Sequence, residues 1–324
     1  MKKKLFLVLS ASAILGIKAI AQKSDTINSD LQLSIDKKAL NFIALGDWGR
    51  NGEYHQREVA TEMGLAAKAL GTDFFVALGD NFYPSGVRSV HDHRWLDSYE
   101  DIYTAHSLEN DWYVVPGNHD YKGSVQAEID YTNIDRRWNM PARYYAKKFR
   151  LKGDSTGEVL IVFLDTTPLI SDYYFSPDHA DVKAQDTSVQ MRWLEKVLSD
   201  PSPTIKWKIV TGHHPLYSGG HRIDAQETKD IRDRLEPIFD KYHVDLYICG
   251  YEHSLQYIKP AGRTHYFISG SGSETTPAIL LADGGKFSRS ENGFIAFTVT
   301  MYNVEAQVIS YTGKVLYQTK INKE

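Results

Sequence analysis

The sequence predicts an α/β fold in which short buried strands alternate with amphipathic helices. Six short runs of apolar, β-branched or aromatic residues have the composition of buried strands. Three segments between them repeat apolar residues at the spacing of one helix face. The C-terminal part differs, because four strand-like runs follow one another there without helices. The six strand runs are Asn41–Leu45, Phe74–Leu78, Trp112–Val115, Val159–Leu164, Trp207–Val210 and Val244–Cys249.

Each helical segment is defined by a set of apolar residues three or four positions apart. The sets are Val59, Met63, Ala66 and Leu70; Met191, Leu194 and Val197; and Ile231, Leu235, Ile238 and Tyr242. The C-terminal runs are His265–Ser269, Gly293–Tyr302, Ala306–Tyr311 and Lys314–Ile321. They predict a second, largely antiparallel sheet stacked on the first. No linker separates the two parts, so we expect a single domain over residues 39–324.

The first 21 residues have the features of a secretory signal peptide. Met1–Lys4 is positively charged, an apolar run follows, and Ala19-Ile20-Ala21 is a small-x-small cleavage pattern. A membrane anchor is the alternative, but Lys18 leaves an apolar run too short to span a bilayer. No second long apolar stretch follows. We therefore expect a signal peptide at 1–21, a polar linker at 22–38 and a periplasmic or secreted protein without a stable membrane span.

Composition narrows the classes of partner. The chain of 324 residues carries a net charge of −4 and has no long basic run, so nucleic acid is not an expected structural partner. Cys249 is the only cysteine, so the chain can form no disulfide within itself. It lies in an apolar run, which favours a buried small hydrophobic residue over a nucleophile. We expect a monomer.

Five of the six strands in the α/β part run directly into a cluster of polar residues. Ligands bind outside the carboxyl ends of strands in open α/β sheets, so these clusters should converge. Any one of them alone is typical of an ordinary turn, but five in order, each after an apolar strand, indicate a shared site. Carboxylate, amide and imidazole donors without a usable thiolate suit iron, zinc or manganese. The clusters are Gly46-Asp-Trp-Gly49, Gly79-Asp-Asn-Phe-Tyr83, Gly117-Asn-His-Asp120, Gly212-His-His-Pro215 and Gly250-Tyr-Glu-His253.

The order and content of these clusters resemble the calcineurin-like metallophosphoesterase superfamily. Two details resemble purple acid phosphatases of the small, tartrate-resistant type within it. Trp48 stands where most of the superfamily has a histidine ligand, and Tyr83 follows Asp80 by three residues. The resemblance implies a four-layer αββα sandwich, with two stacked mixed sheets flanked by helices, over about residues 40 to 320.

The resemblance also implies a metal-ligand set. The ferric-site ligands would be Asp47, Asp80, Tyr83 and His253, because tyrosinate and carboxylate are anionic hard donors that favour Fe(III). Asp80 would bridge to a second, divalent ion (Fe, Zn or Mn), which Asn118 and His213 would also bind. His119 would contact phosphate, and His221 would help to protonate the leaving group. His214 would orient its loop.

One position departs from the family pattern. The last cluster is usually Gly-His-x-His, but here Tyr251 replaces the first histidine, a ligand of the divalent ion. A tyrosinate could ligate in its place, water could fill the gap, or the second site could be lost. Glu252 replaces the usual aspartate, and its carboxylate could still orient a neighbouring ligand. We expect a weakened second site rather than an inactive protein.

The expected function is hydrolysis of small phosphate monoesters at mildly acidic pH, with a metal-bound hydroxide as the nucleophile. A phosphodiesterase or nucleotide pyrophosphatase on the same scaffold is one alternative. A weakly active or inactive protein that binds metal or phosphate is another, because of Tyr251. A further hypothesis is that the loop at residues 172–187 inhibits the enzyme, because it lies where small family members carry a regulatory loop that shields the site. The sequence does not identify the substrate.

Overall fold

Two seven-stranded sheets form the centre of the molecule. The structure is a computed structural model that describes residues 33–153, 156–278 and 284–323. The helices are α1 Gln56–Leu70, α2 Val125–Tyr131, α3 Thr187–Leu198 and α4 Gln226–Tyr242. The strands are β1 Leu40–Leu45, β2 Phe74–Leu78, β3 Trp112–Val115, β4 Trp138–Asn139, β5 Tyr145–Arg150, β6 Glu158–Phe163, β7 Ile205–Thr211, β8 Leu246–Cys249, β9 Leu255–Ile258, β10 His265–Ser269, β11 Gly285–Arg289, β12 Gly293–Val299, β13 Asn303–Ser310 and β14 Val315–Asn322.

Both sheets combine a parallel centre with antiparallel edges. The first sheet has the order β14-β13-β12-β1-β2-β3-β4, in which β1 to β4 are parallel and β12 to β14 pair antiparallel. The second has the order β11-β9-β10-β8-β7-β6-β5, in which β6, β7, β8 and β10 are parallel. Strands β5, β9 and β11 pair antiparallel with their neighbours. The parallel strands bring their carboxyl ends to one edge of each sheet.

The prediction that the C-terminal strands form a separate sheet is wrong. β10 pairs with β8 in the second sheet, whereas β12 pairs with β1 in the first. The C-terminal strands are therefore divided between the two sheets. The reason is that an apolar run indicates burial on both faces but carries no information about which strand will be its hydrogen-bonding neighbour. The predicted helices are present as α1, α3 and α4, and α2 is an additional short helix.

Alternate residues of the central strands face two different cores. In β1, Phe42 packs in the core between the sheets, whereas Ile43 faces the outer core. Phe42 stacks on Phe297 at 4.9 Å between ring centroids, and Phe297 meets Phe267 of the second sheet edge-on at 5.3 Å. Burying each such side chain stabilises the fold by about 1.5–3 kcal/mol.

The helices cover the outer faces of the sheets. The outer core combines Met63 of α1 with Ile43 of the first sheet, and Leu194 of α3 and Leu235 of α4 with Val210 of the second. The four layers are therefore helix, sheet, sheet and helix, as predicted.

Residues at the start of the described chain contact the first sheet. Ser34 exchanges two hydrogen bonds with the Gln307 side chain of β13, at 2.7 and 2.9 Å. The predicted signal peptide at 1–21 and most of the predicted linker at 22–38 lie outside the described residues. Within the described ranges, no helix is both long and apolar enough to cross a membrane.

Candidate metal centre

The loops after the strand ends of both sheets meet at one place. The Asp47 N–H donates to the Gly79 carbonyl at 3.0 Å, and the Gly250 N–H donates to the His213 carbonyl at 3.1 Å. Nδ1 of His213 donates to the Leu78 carbonyl at 2.8 Å, which ties the second sheet to the first. The predicted convergence of the polar clusters is therefore present in the fold.

Glycine is required where these loops touch. A Cβ at Gly117 would lie 2.2 Å from the Asp80 nitrogen, and one at Gly250 would lie 2.5 Å from Asp47 Oδ2. No side chain fits at either distance. Asp47 and Asp80 have positive φ angles of 59° and 48°, a conformation that aspartate adopts more readily than most residues.

The four predicted ferric-site residues meet at the Tyr83 hydroxyl. Its oxygen lies 3.0 Å from Asp47 Oδ1, 2.8 Å from Asp80 Oδ2 and 3.1 Å from His253 Nε2. A hydroxyl has one proton, so it can donate to only one of these three atoms. Two carboxylates, one phenol oxygen and one imidazole crowded in this way fit a hard, highly charged cation such as Fe(III).

Electrostatics support the same interpretation. Burial raises the pKa of Tyr83 well above its ordinary value, and the charges of Asp47 and Asp80 raise it further. Without a cation the phenol is therefore neutral. A bound cation inverts this logic, because it stabilises the tyrosinate that the two carboxylates oppose.

Three of the predicted ligands form a second group beside the first. His213 Nε2 lies 3.3 Å from Asp80 Oδ1 and 3.2 Å from Asn118 Oδ1. Burial opposes a charge on His213, but the carboxylates of Asp80 and Asp47 outweigh it and raise the pKa of the imidazole to about 9. Asp47, Asp80 and His213 are buried and offer ligand atoms within 4.8 Å of one another.

The two oxygens of Asp80 face different groups of donors. Oδ2 contacts the Tyr83 hydroxyl, whereas Oδ1 faces His213 and also accepts the His119 backbone N–H at 2.8 Å. Burial alone would raise the pKa of this carboxyl, yet His213 and His119 hold it well below its usual range. Asp80 is thus an ionised carboxylate between two sets of ligands, which is the geometry that a bridging ligand needs.

The Tyr251 ring lies against the candidate ligands, but its hydroxyl points away from them. The ring meets that of His213 edge-on at 5.3 Å between centroids. In the described part of the chain its hydroxyl contacts Glu227 Oε1 at 3.2 Å and the Tyr173 hydroxyl at 3.4 Å. The Arg222 guanidinium lies 4.2 Å over its ring. Its backbone N–H donates to Asp47 Oδ2 at 2.8 Å. The main chain of Tyr251 therefore supports the site, while its hydroxyl belongs to a separate polar group.

The two predicted catalytic histidines lie at different depths. His119 is partly exposed, its Nδ1 donates to the Pro84 carbonyl at 2.6 Å, and its Nε2 lies 3.9 Å from Asp80 Oδ2. His221 is half-exposed, and its Nδ1 lies 3.4 Å from Glu252 Oε2. The structure thus brings His119 to the ligand group and places His221 on its outer loop.

Glu252 fixes the loop that carries His221. Its Oε1 accepts the Ser218 hydroxyl at 2.8 Å and the Arg222 backbone N–H at 2.9 Å. This carboxylate is fully buried, so these bonds hold the loop against the last cluster. The expectation that Glu252 orients a neighbouring metal ligand stays a prediction, because these bonds go to the loop and not to a ligand.

His214 is a buried, neutral residue of the supporting structure. Its Nδ1 contacts the Thr166 hydroxyl at 2.8 Å and its Nε2 contacts the Tyr173 hydroxyl at 3.2 Å. Burial, reinforced by the neighbouring His213, lowers the pKa of His214 well below its ordinary value. These contacts suit the expected role of His214 in orienting its loop, which stays a prediction.

Sequence reasoning missed the buried support of the second and third clusters. Asp120 accepts backbone N–H groups of Asn81, Phe82 and Gly117 at 2.8 to 3.2 Å, and it also accepts the Asn81 side chain at 3.1 Å. Asn81 in turn donates to Glu128 at 3.0 Å. Asp120 thereby joins the loops that carry Asp80 and Asn118. The available signal was its position inside the Gly-Asn-His-Asp cluster.

Two residues of the 172–187 loop contact the group around His213, Asn118 and Tyr251. Tyr173 contacts His214 and Tyr251, and His179 Nε2 donates to the Asn118 carbonyl at 3.1 Å. The Tyr173 and His179 rings stack at 4.3 Å. The loop therefore packs beside the ligands, although its residues have no readable motif.

Trp48 lies in an aromatic core instead of the ligand group. Its ring is fully buried and lies 5.4 Å from Tyr103 and 5.6 Å from Phe82 between centroids. The first cluster therefore contributes Asp47 to the site and an apolar anchor to the core beneath it.

Comparisons with known proteins indicate the same class of protein as the candidate metal centre does. The model of the family described as calcineurin-like phosphoesterase matches residues 40–255. Human tartrate-resistant acid phosphatase type 5 is 34% identical over 304 residues, covering 87% of this chain and 91% of that protein. Purple acid phosphatase 17 of Arabidopsis thaliana is 33% identical over 314 residues, covering 92% of this chain and 90% of that protein.

Solved structures share the fold. A structure titled as GAP50, the anchor in the inner membrane complex of Plasmodium, has a TM-score of 0.76 and 25% identity, covering 88% of this chain and 89% of its own. A purple acid phosphatase from yellow lupin seeds has a TM-score of 0.65 and 15% identity, and the match covers 88% of this chain and 54% of that one.

The chain belongs to the calcineurin-like phosphoesterase family. Within that family it belongs with the purple acid phosphatases, its relatives over most of the chain.

Proposed function

We propose that this protein is an exported acid phosphatase that hydrolyses phosphate monoesters at a centre of Fe(III) and a divalent ion. The observation that carries the proposal is the division of the Asp80 carboxylate between two groups of donors. Its Oδ2 lies 2.8 Å from the Tyr83 hydroxyl and its Oδ1 lies 3.3 Å from His213 Nε2. Two adjoining groups that share one carboxylate suit two metal ions that act on one phosphoryl group.

The donor sets support different metals in the two halves. Asp47, Asp80, Tyr83 and His253 would hold Fe(III), since two carboxylates and a tyrosinate supply anionic hard donors. Asp80, Asn118 and His213 would hold the divalent ion. Bound ions would polarise a phosphoryl oxygen and lower the pKa of a coordinated water.

The protein supplies a positioned proton donor. The bond from His119 Nδ1–H to the Pro84 carbonyl fixes the ring, so Nε2 is the nitrogen that faces the Asp80 carboxylate at 3.9 Å. A phosphate held beside Asp80 would lie within reach of Nε2, which can stabilise its charge and protonate the leaving oxygen. His221 is the second candidate for that proton transfer.

Export is part of the proposal and rests on the sequence of residues 1–21. Amino-terminal sequencing of the mature protein tests it, and we expect a first residue of Gln22. A mature protein that retains Met1 would contradict export by cleavage.

Asp80→Ala provides the test of mechanism. The variant should lose both metals and all turnover of a phosphate monoester, because both ion sites use this carboxylate. Asp97→Ala, which removes an exposed carboxylate, is the matched control and should keep both metals and normal turnover. Rates and metal content per chain are measured together for mono- and diester substrates.

Three outcomes would contradict the proposal. Near-normal turnover in Asp80→Ala would refute the mechanism. Faster hydrolysis of diesters than of monoesters by the wild type would favour a phosphodiesterase. Tight phosphate binding without turnover would favour a binding protein.

A further inference from the structure

Arg50 places a positive charge directly over the ring of Tyr83. Its guanidinium carbon lies 3.6 Å from the ring centroid. Arg50 follows the first cluster by one residue, and its side chain is only 17% exposed. No ligand role predicted from the sequence includes it.

The Arg50 main chain is held from both sides. The Tyr83 N–H donates to the carbonyl of Gly49 at 2.8 Å, so the residue before Arg50 is bonded to the tyrosine that its side chain covers. The Arg50 N–H donates to the buried Gln56 side chain at 3.0 Å. These bonds fix where the arginine side chain starts relative to the ring.

An ion pair fixes where the side chain ends. Arg50 Nη2 lies 2.7 Å from Glu274 Oε2. The loop that carries Glu274 is itself bonded to the ferric half, because the Ser273 hydroxyl donates to the Asp47 carbonyl and the Thr276 N–H donates to the His253 carbonyl. The cation is therefore positioned relative to three of the four ferric-site residues.

We propose that Arg50 is a positioning residue that makes Tyr83 a weaker electron donor to the ferric ion. A cation against an aromatic face attracts the π electrons, and the donor orbital of a tyrosinate belongs to that same π system. Lowering this orbital raises the energy needed to transfer an electron from tyrosinate to Fe(III). The inference rests on the proposed iron site, and it concerns a residue outside the ligand set.

Two spectroscopic and redox consequences follow. Removing the charge should move the tyrosinate-to-Fe(III) absorption band to longer wavelength. It should also lower the reduction potential of the iron, because loss of a nearby positive charge favours the higher oxidation state. If Arg50 had only a structural role, its removal would change neither the absorption band nor the reduction potential at constant iron content.

The test compares iron-loaded wild type with Arg50→Met, Arg50→Gln and Arg50→Lys. We expect a shift to longer wavelength in Arg50→Met and Arg50→Gln, which both lack the charge, and partial recovery in Arg50→Lys, which keeps the charge without the planar group. Arg150→Met, on the exposed edge strand β5, is the control and should leave the band unmoved. Thermal unfolding and iron content confirm that each variant is folded and loaded.

The outcomes separate this inference from the proposed function. An unmoved band and potential in folded, iron-loaded Arg50→Met would overturn the role of Arg50 and leave the phosphatase proposal intact. If Arg50→Met does not fold, an unmoved band in folded, iron-loaded Arg50→Gln decides against the inference. Wild-type protein that binds iron without any such band would overturn the tyrosinate site and this inference together.

Discussion

Tyr83 and Asp80 lie three residues apart, and this spacing brings a phenol and a carboxylate to within 2.8 Å. Either residue alone has an ordinary explanation, since aromatic side chains pack in cores and aspartate is common in turns. Their contact with Asp47 and His253 turns a packing residue into a candidate ligand. The single phenol proton can bond only one of the two carboxylate oxygens beside it, whereas a cation would attract lone pairs from all four side chains.

Tyr251→His tests whether Tyr251 weakens the proposed second metal site. Histidine tolerates a positive φ, which is 72° at this residue, better than most side chains do. The variant adds an imidazole to the group of Asn118, His213 and Asp80, so the second, divalent ion should bind about tenfold tighter, or by about 1.4 kcal/mol. Calorimetric titration of Zn²⁺ into protein that retains its first metal measures this.

Tyr251→Phe is the matched control because it removes the hydroxyl and keeps the ring. The hydroxyl contacts Glu227 and Tyr173, so its loss should leave the affinity for the second ion unchanged. A clearly weaker second site in Tyr251→Phe would mean that the phenol is a ligand.

The sequence predicted the candidate ligands of this site better than the contacts around them. Every predicted metal ligand follows a strand by a few residues, so the strand pattern alone places it at the right edge. The direction of the Tyr251 side chain depends on Glu227 of α4, far away in sequence, and no local pattern encodes it. The same applies to Arg50, which stacks on Tyr83 because Glu274 holds it there.

At the scale of elements, the site loops are rigid because buried bonds connect them. Asp120 joins the loops after β2 and β3, and Glu252 holds the loop after β7. Both are buried carboxylates with several donors, an arrangement that fixes a loop in one conformation. The ligands are therefore presented by loops that need little reorganisation to hold metal.

Strand β10 begins with a histidine that should affect stability in acid. Burial, with a contribution from Lys259, lowers the pKa of His265 from 6.5 to about 4. Between about pH 6.5 and about pH 4, the unfolded chain therefore binds a proton at this histidine and the folded chain does not. This residue's contribution to stability is complete above about pH 6.5 and is lost progressively as the pH falls toward about 4.

His265→Gln should reduce that acid sensitivity. The fall in unfolding free energy between about pH 7 and about pH 4.5 should be smaller in the variant by roughly 1–2 kcal/mol, after discounting for the partial exposure of the ring. Urea unfolding at the two pH values measures the difference. An equal fall in both proteins would show that His265 does not carry this dependence.

The assignment of strands to sheets was the part of the fold that the sequence could not provide. The strand runs Phe74–Leu78, Trp112–Val115 and His265–Ser269 were predicted with their observed bounds. Their hydrogen-bonding partner strands were not predicted, because β12 and β10 are similar apolar runs that enter different sheets. Pairing depends on the complete arrangement of the chain, which a local pattern does not contain.

At the scale of the whole molecule, two mixed sheets present one edge with five loops. The first sheet supplies Asp47, Asp80, Tyr83 and Asn118, and the second supplies His213 and His253. The two groups of donors meet where His213 bonds across to Leu78. Neither sheet alone supplies all of the candidate ligands, so the candidate centre depends on how the two sheets stack.

A single sample of wild-type protein, saturated with a divalent ion, decides whether the proposed dinuclear centre has Tyr83 on a ferric ion. Its metal content and its visible spectrum are recorded together. We expect two metals per chain, one of them iron, with a tyrosinate-to-Fe(III) absorption band. Clearly fewer than two metals, or bound iron without that band, would contradict the proposal.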